Sequence, residues 1–292
     1  MAPQDNPSAT AFVPGHITGF FSAQTAASCA QTGSRGAGIT LSDGVDVTVT
    51  PGSGLRLNGE DAAVTAVNDV CTRLGVDAAV DATTSLPLGS GFGVSGALAL
   101  GTALAANAVF DCGKTENELI TLAHCAEVEA GTGLGDVVAQ AHGGLPIRID
   151  PGSPSHGRLD GLPARPGVEY VTFGELSTEA VLSGDTDDLT VAGESALSRL
   201  LEWPTLDRFM TVSREFAVDA GLLTDEVAAA IDAVEKAGGD AAMAMLGNTV
   251  FAVGDGLSAA GYEPETCGVD AGGARLRTDE TAVGGSDEER TF

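Results

Sequence analysis

The pattern of apolar and polar positions along the chain alternates between helical spacing and strand-like alternation. Apolar residues at helical spacing predict helices over 62–74, from about 94 onward, over 116–130 with Thr115 as N-cap, and, as two to four amphipathic helices, between 190 and 237. Period-two alternation and short apolar runs predict strands over 10–13, 39–49, 76–83, 145–149, 168–173, 241–246 and 249–253. Within 39–49 we expect two strands around the turn Ser42-Asp43-Gly44, and a further helix is expected to begin at 177–179.

A change of composition near the middle of the chain indicates its domain organisation. With 292 residues, the chain can bury a full core as one large domain or as two closely packed ones. Residues 150–166 are rich in Pro, Gly and Ser, which predicts a long connection and a boundary. We therefore expect one domain over 8–150 and a second over 151–276. The acidic, polar segment 277–292 is predicted to be a disordered tail.

The charge balance of the chain is strongly acidic. Its formal net charge is −27, and its 14 basic residues include only two lysines, Lys114 and Lys236. Such a surface repels the phosphates of nucleic acids and of anionic membranes, so neither is an expected partner. Few lysines together with many small residues predict a protein that works in high salt, as in haloarchaea, where screening weakens the repulsion between carboxylates. An acidic protein adapted to ordinary salt is the alternative.

The high-salt interpretation makes the stability of the protein depend on salt. Lowering KCl from molar concentration to about 0.1 M lengthens the Debye length from about 3 to about 10 Å, which restores repulsion between acidic side chains. We therefore expect the melting temperature to fall steeply as KCl is removed. Thermal melts across a KCl series measure this fall, and a melting temperature that does not change with salt would contradict the interpretation.

The cysteines and the N-terminal segment indicate the compartment. The five cysteines are scattered without CxxC spacing, which disfavours a structural zinc site and fits the reduced core thiols of an intracellular protein. No signal peptide is evident in the first residues. The uncharged run 82–110 contains proline and glycines in its first half, so we interpret it as a buried helix rather than a membrane span. We therefore expect a cytoplasmic protein.

A glycine-rich loop leads directly into the helix that begins near Val94 or Ser95. Glycines let backbone amides approach a ligand closely, and the first amides of a helix are unpaired and positively polarised. Together they predict a phosphate site, with the Ser95 hydroxyl placed to hold a metal ion. The expected nucleotide-binding residues are Pro87, Gly89, Ser90, Gly91, Phe92, Gly93, Val94 and Ser95. A glycine-rich turn that only caps a buried helix is the alternative, and no Gly-Lys-Ser/Thr follows to make a P-loop.

Carboxylates follow downstream of this loop. The helix over 116–130 carries Glu127 and Glu129. Residues two apart do not share a helix face, so at most one of these two carboxylates can enter a given site. Asp136 follows a glycine-rich turn after the helix. One helical glutamate and one aspartate are therefore candidates for a shared site.

Three basic side chains are candidates for binding an anionic ligand. His16 follows a Pro-Gly turn, and Arg35 lies between two glycines, where a guanidinium can make bidentate hydrogen bonds. Arg148 lies between two isoleucines on a predicted strand, which fits a substrate clamp. The respective alternatives are a satisfied core histidine, an exposed turn arginine and a solvated strand face.

These motifs resemble those of the GHMP small-molecule kinases. The second motif of that family, Gly-Leu-Gly-Ser-Ser-Ala after a proline and a short spacer, matches residues 91–96, where Val94 replaces the first serine and Ser95 keeps the second. The family's helical Glu and its Asp after a glycine-rich turn are matched by Glu127 and Asp136. The resemblance implies an α+β fold, in which a ribosomal S5 domain 2-like N-terminal domain is followed by a ferredoxin-like C-terminal domain.

The same resemblance implies phosphoryl transfer from ATP. Ser95 and Glu127 would hold Mg²⁺ at the nucleotide phosphates, with Glu129 as the alternative to Glu127. Asp136 would orient or deprotonate the acceptor hydroxyl. The residues expected to bind the acceptor, most simply through a carboxylate, are His16, Arg35 and Arg148.

A closer resemblance, to the archaeal pantoate kinases within that family, rests on the segments AFVPGHITGFF, GSRGAG, AEVEAGTGLGD and GGLPIRIDPG. It extends over most of residues 9–275 and implies phosphorylation of pantoate to 4-phosphopantoate in coenzyme A biosynthesis, by a homodimer. One alternative is a GHMP kinase for a mevalonate- or homoserine-type acceptor, against which His16 argues, since it replaces the usual Lys or Arg. The other is a non-catalytic nucleotide-binding regulator, which would need neither Asp136 nor Glu127.

Overall fold

Two β-sheets form the framework of the protein, whose computed structural model describes residues 7–174 and 187–278. The strands are β1 (Ala9–Gln24), β2 (Gly33–Pro51), β3 (Gly54–Leu57), β4 (Glu60–Ala62), β5 (Ala78–Thr84), β6 (Leu145–Asp150), β7 (Arg158–Leu162), β8 (Val168–Gly174), β9 (Asp240–Ala244), β10 (Asn248–Val253), β11 (Glu265–Cys267) and β12 (Arg275–Leu276). The first sheet has the order β12-β1-β2-β5-β3-β4, with β6 paired to both β2 and β7. The second sheet has the order β11-β8-β10-β9.

Helices pack on both sheets. They are α1 (Thr65–Leu74), α2 (Val94–Phe110), α3 (Glu116–Ala130), α4 (Asp136–His142), α5 (Asp187–Glu202), α6 (Leu206–Asp219), α7 (Asp225–Lys236) and α8 (Gly256–Ala259). α2 contacts β1, β2, α1 and α3, whereas α6 and α7 contact β9. Mainly antiparallel sheets with helices packed on them confirm the predicted α+β class.

The small side chains of α2 let this helix pack tightly in the core. Gly101 lies so close to β2 that a Cβ atom at this position would be 2.6 Å from Cγ2 of Val47. Eleven of the 17 residues of α2 are buried, so the second part of the uncharged run 82–110 forms the predicted buried helix. The first part is not helical, because it contains the end of β5 and the loop that precedes α2. In the ranges that the structure describes, no helix combines the length and apolarity needed to cross a membrane.

Thr115 caps α3, as its sequence predicts. The Thr115 hydroxyl accepts a hydrogen bond from the Glu118 amide, and the Glu118 carboxylate accepts one from the Thr115 amide at 2.9 Å. This capping box satisfies two backbone donors that the helix itself leaves unpaired. The cap defines where α3 starts and so helps to determine the helix face on which Glu127 lies.

β1 and β2 are longer than predicted, because bulges occupy the positions that we interpreted as turns. Between the pairs Thr40–His16 and Gly44–Pro14, three residues of β2 lie opposite a single residue of β1. The predicted turn at 42–44 is therefore wrong, and β2 continues through it as one strand. β1 likewise continues past its Pro-Gly pair instead of ending there.

Two other expectations are corrected by contacts between distant parts of the chain. The connection predicted over 150–166 contains β7, which pairs with β6. Cys29 and Cys125 form a disulfide with their Cα atoms 4.9 Å apart, so the prediction of reduced cysteines is wrong for this pair. Because the two cysteines are 96 residues apart, no local spacing indicates their pairing.

The predicted domain boundary at 150/151 stays a prediction. β7, which follows this boundary, pairs with β6, and β12 pairs with β1 at the edge of the first sheet. The helix start expected at 177–179 lies outside the described residues, as does the predicted tail from residue 279 onward.

Candidate active site

A cleft of about 800 Å³ opens between the loop that precedes α2, the α3–α4 connection, β6 and the β9–β10 connection. Seven of the eight predicted nucleotide-binding residues line it: Pro87, Gly89, Gly91, Phe92, Gly93, Val94 and Ser95. Ser90 is buried outside the cleft, and its carbonyl accepts a hydrogen bond from Thr249 Oγ1 at 2.9 Å.

The glycine loop, residues 86–93, brings backbone amides to this cleft. Gly89, Gly91 and Gly93 have φ angles of 66°, 88° and 65°, which L side chains rarely adopt. Gly93 is the N-cap of α2 and provides no capping side chain, so the first amides of α2 remain available to a ligand. The positive end of this helix is therefore an anion site that suits a phosphate.

Ser95 and Glu127 meet inside the cleft. The Ser95 hydroxyl donates a hydrogen bond to Glu127 Oε1 at 2.6 Å, and only 2% of Glu127 is exposed. Burial raises the pKa of Glu127 to about 7. Hydrogen bonds to Ser95 and Thr132 oppose this rise, and the charge of Asp136 adds to it. Keeping Glu127 ionised in this buried position is therefore unfavourable, and a bound cation would stabilise the ionised form.

The geometry separates the two candidate glutamates. Glu129 lies outside the cleft and pairs with Arg73 at 2.5 Å, so only Glu127 enters the cleft. Ser95 and Glu127 offer a hydroxyl and a carboxylate, the oxygen ligands that Mg²⁺ prefers. Within the described residues, no group of three or more His, Cys, Asp or Glu side chains could hold a metal ion. Mg²⁺ at this position would therefore need ligands from bound phosphate and water as well.

The raised pKa of Glu127 predicts how stability depends on pH. Between the ordinary value of 4.5 and about 7, the folded state keeps a proton that the unfolded state has lost. The free energy of unfolding therefore falls as the pH rises through this range, by about 3 kcal/mol for this group. Because Glu127→Gln mimics the protonated form, the variant should melt higher than the wild type at pH 8 and similarly at pH 4.5.

Thermal melts of both proteins at constant KCl, with a chelator present, measure this difference. Glu129→Gln is the matched control, since Glu129 is half-exposed and should change the pH dependence little. A Glu127→Gln variant with the same melting difference from wild type at both pH values would contradict the prediction.

Asp136 is the first residue of α4 and is held by His16 of β1. His16 Nδ1 and Asp136 Oδ1 are 2.7 Å apart. Burial lowers the pKa of His16, so its ring is neutral. Burial alone would raise the pKa of Asp136, but its hydrogen bond to His16 and the charge of Arg148 lower it below the usual value. Asp136 is therefore ionised, and it lines the cleft with 26% of its side chain exposed.

Arg148 brings a buried positive charge to the cleft. Only 2% of this residue is exposed, which excludes the solvated strand face. Its Nε and Nη1 atoms have no hydrogen-bond partner among the described residues. Gly135 makes room for it, because a Cβ atom there would lie 2.6 Å from Nε. Burial lowers the pKa of Arg148 to about 10, although the charge of Asp136 acts to raise it. The guanidinium therefore remains charged at neutral pH.

Arg35 and His16 are not on the walls of the cleft, contrary to expectation. Arg35 belongs to a strand rather than a glycine-rich bend, and its Nε donates to the Ile149 carbonyl at 2.8 Å. Alternation along β2 directs the preceding residue, Ser34, into the cleft instead. His16 is fully buried behind Asp136.

Sequence reasoning missed two parts of the cleft. Ser34 could have been found only if 33–36 had been interpreted as a strand. Leu246 lines the cleft with a φ angle of 64°, a left-handed conformation that leucine rarely adopts. Its neighbour Gly247 packs directly against the glycine loop, where a Cβ atom would overlap the Ser90 carbonyl.

Comparisons with known proteins agree with this architecture. Residues 61–144 match the N-terminal domain of the GHMP kinases. A pantoate kinase of Methanocaldococcus jannaschii is 36% identical over 250 residues, which cover 83% of this chain and 91% of the relative. A pantoate kinase of Thermococcus kodakarensis is 38% identical over 267 residues, covering 83% and 86%.

Solved structures show the same fold. A phosphotransferase related to the coenzyme A biosynthesis pathway superimposes with a TM-score of 0.82 at 30% identity, over 92% of this chain and 98% of the other. The mevalonate-3-kinase of Thermoplasma acidophilum, at 13% identity, shares the fold with a TM-score of 0.67 over 94% and 100%. With relatives of 36% and 38% identity that each cover 83% of its length, this chain belongs to the pantoate kinase family of the GHMP kinases.

Proposed function

We propose that the protein transfers the γ-phosphoryl group of ATP to the primary hydroxyl of pantoate and forms 4-phosphopantoate, a step of coenzyme A biosynthesis. The observation that carries this proposal is the pairing of two features in one cleft. Arg148 presents a buried guanidinium whose Nε and Nη1 have no partner in the described part of the chain, which suits a carboxylate, and Asp136 presents an ionised carboxylate that suits a hydroxyl. Pantoate carries both a carboxylate and a hydroxyl on a short chain.

The nucleotide would bind at the glycine loop. Amides at the start of α2 would hold its phosphates, and Ser95 and Glu127 would hold Mg²⁺ beside them. The ion supplies neutralisation of phosphate charge. The cost of burying Glu127 as a carboxylate, visible in its raised pKa, supports this assignment, because a cation would offset it.

The acceptor would bind next to Asp136. Arg148, with the Ser34 hydroxyl nearby on the cleft wall, would hold the pantoate carboxylate. Asp136 would take the proton of the acceptor hydroxyl as its oxygen bonds to the γ-phosphorus. The bond between that phosphorus and the β–γ bridging oxygen breaks, and ADP leaves with the electron pair.

An ADP-release assay across a panel of hydroxy acids in molar KCl with Mg²⁺ tests the substrate. We expect kcat/KM for pantoate to exceed that for mevalonate and for homoserine by about 100-fold or more. Mevalonate has one more carbon between its carboxylate and its primary hydroxyl, and homoserine carries an ammonium group where pantoate has its second hydroxyl, so neither fits a site shaped for pantoate. Faster turnover of mevalonate or homoserine would identify a kinase for another acceptor. ATP binding without turnover of any panel member would favour the regulator.

The family resemblance also leads us to propose a homodimer in the cytoplasm. Analytical ultracentrifugation in molar KCl tests the assembly, and a single species of monomer mass would contradict it. Fractionation of source cells, followed by detection of the protein, tests the location.

A further inference from the structure

We propose that His16 is a positioning residue for Asp136: it holds one carboxylate oxygen so that the other faces the acceptor hydroxyl. The inference rests on the proposed function, because it concerns how Asp136 would act on its substrate. It replaces the expectation that His16 contacts the acceptor directly.

The position of His16 carries this inference. The residue is fully buried and is not part of the cleft wall, yet its Nδ1 lies 2.7 Å from Asp136 Oδ1. Its backbone amide donates to the Phe92 carbonyl at 3.0 Å, which joins β1 to the glycine loop. A Cβ atom on Gly38 would overlap His16 Nε2, so the ring fills a space that glycine leaves open. The imidazole therefore lies between Asp136 and Gly38, its backbone is fixed to the glycine loop, and the residue has no exposed surface for a ligand to contact.

The protonation state defines what His16 does in this position. An ionised carboxylate only accepts hydrogen bonds, so Nδ1 carries the hydrogen and donates it to Oδ1. Nε2 has no hydrogen-bond partner among the described residues, and a second N–H there would be a buried, unpartnered donor. His16 is therefore a neutral donor to Asp136 rather than a cation that attracts the acceptor.

The hydrogen bond matters for catalysis because it restricts rotation of the carboxylate. With Oδ1 bound to His16, the plane of the Asp136 carboxylate is defined, and Oδ2 remains for the acceptor hydroxyl. A general base works only when the proton that it takes lies within hydrogen-bond reach. Loss of His16 should therefore lower kcat and change binding little.

Two substitutions of His16 test this role. His16→Leu removes the donor, and His16→Asn retains an N–H near the position of Nδ1. We expect His16→Leu to lower kcat by about 10²-fold, the loss typical of an orienting partner, with the KM values for ATP and pantoate within about threefold of wild type. His16→Asn should recover about tenfold of that loss. If His16→Leu does not fold in molar KCl, His16→Ala replaces it as the donor-free variant.

A double-mutant cycle with Asp136→Asn separates positioning from general support of the fold. If His16 acts through Asp136, the donor-free substitution should cost less than about threefold in the Asp136→Asn background, measured in single turnover. An equal cost in both backgrounds, or a wild-type kcat in the donor-free variant, overturns the inference. A wild-type kcat in Asp136→Asn alone would instead overturn the role of Asp136 in the proposed function.

Discussion

Replacement of Asp136 by Asn is expected to lower kcat by about 10³-fold and to leave the KM values for ATP and pantoate nearly unchanged. Asn has the shape of Asp, and its side-chain oxygen can still accept the hydrogen bond from His16. Its amide group cannot take a proton from a hydroxyl, so the variant loses a general base, whose contribution is typically about 10²- to 10⁴-fold. Steady-state ADP release, with each substrate varied separately, measures the effect.

Asp150→Asn is the matched control for this substitution. Asp150 is a half-exposed carboxylate at the end of β6, where it pairs with Arg158 at 3.0 Å, and it is not part of the cleft wall. Its kcat and both KM values should equal those of the wild type. If Asp136→Asn kept kcat within about threefold of wild type with an intact melting temperature, the reaction would not depend on this carboxylate.

Sequence reasoning located those parts of the cleft that are indicated by residues close together in the chain. Glycines just before a helix and the helical register that separates Glu127 from Glu129 act over a few residues. The structure accordingly begins α2 at Val94 and brings Ser95 and Glu127 within 2.6 Å. Residues that reach the cleft through strand pairing were harder to place, because alternation predicts faces only when the strand itself is recognised.

The turns that were wrongly predicted within β1 and β2 share one physical cause. Pro, Gly and Asp favour turns, so Pro14-Gly15 and the segment 42–44 looked like strand ends. Pairing between two long strands accommodates both as bulges, and no local window contains that pairing. Arg35 was misplaced for the same reason: between glycines it resembled a bend, whereas pairing of Gly36 with Arg148 makes it part of a strand.

The register between β2 and β6 explains why Arg148 is buried whereas Arg35 is partly exposed. It places Arg148 inside the protein and lets Ser34 accompany it on the cleft wall, while Arg35 lies partly exposed near Glu194 at 3.8 Å. A buried guanidinium with unpartnered nitrogens gains more from a carboxylate ligand than an exposed one, because water does not compete for it. The two arginines therefore form an internal comparison for substrate binding.

Arg148→Ala is expected to raise the KM for pantoate by about 10²-fold or more and to leave the KM for ATP little changed. Truncating one partner of a buried, hydrogen-bonded charge pair costs about 2–5 kcal/mol, and the loss applies to ground state and transition state alike. Arg148→Lys should recover only part of this loss, since an ammonium keeps the charge but not the bidentate fork.

Arg35→Ala is the matched control and should leave the KM for pantoate unchanged. Steady-state kinetics on the three variants decide: an unchanged KM for pantoate in Arg148→Ala would remove this residue from the acceptor site, and an equal rise in Arg35→Ala would mean that the carboxylate binds elsewhere.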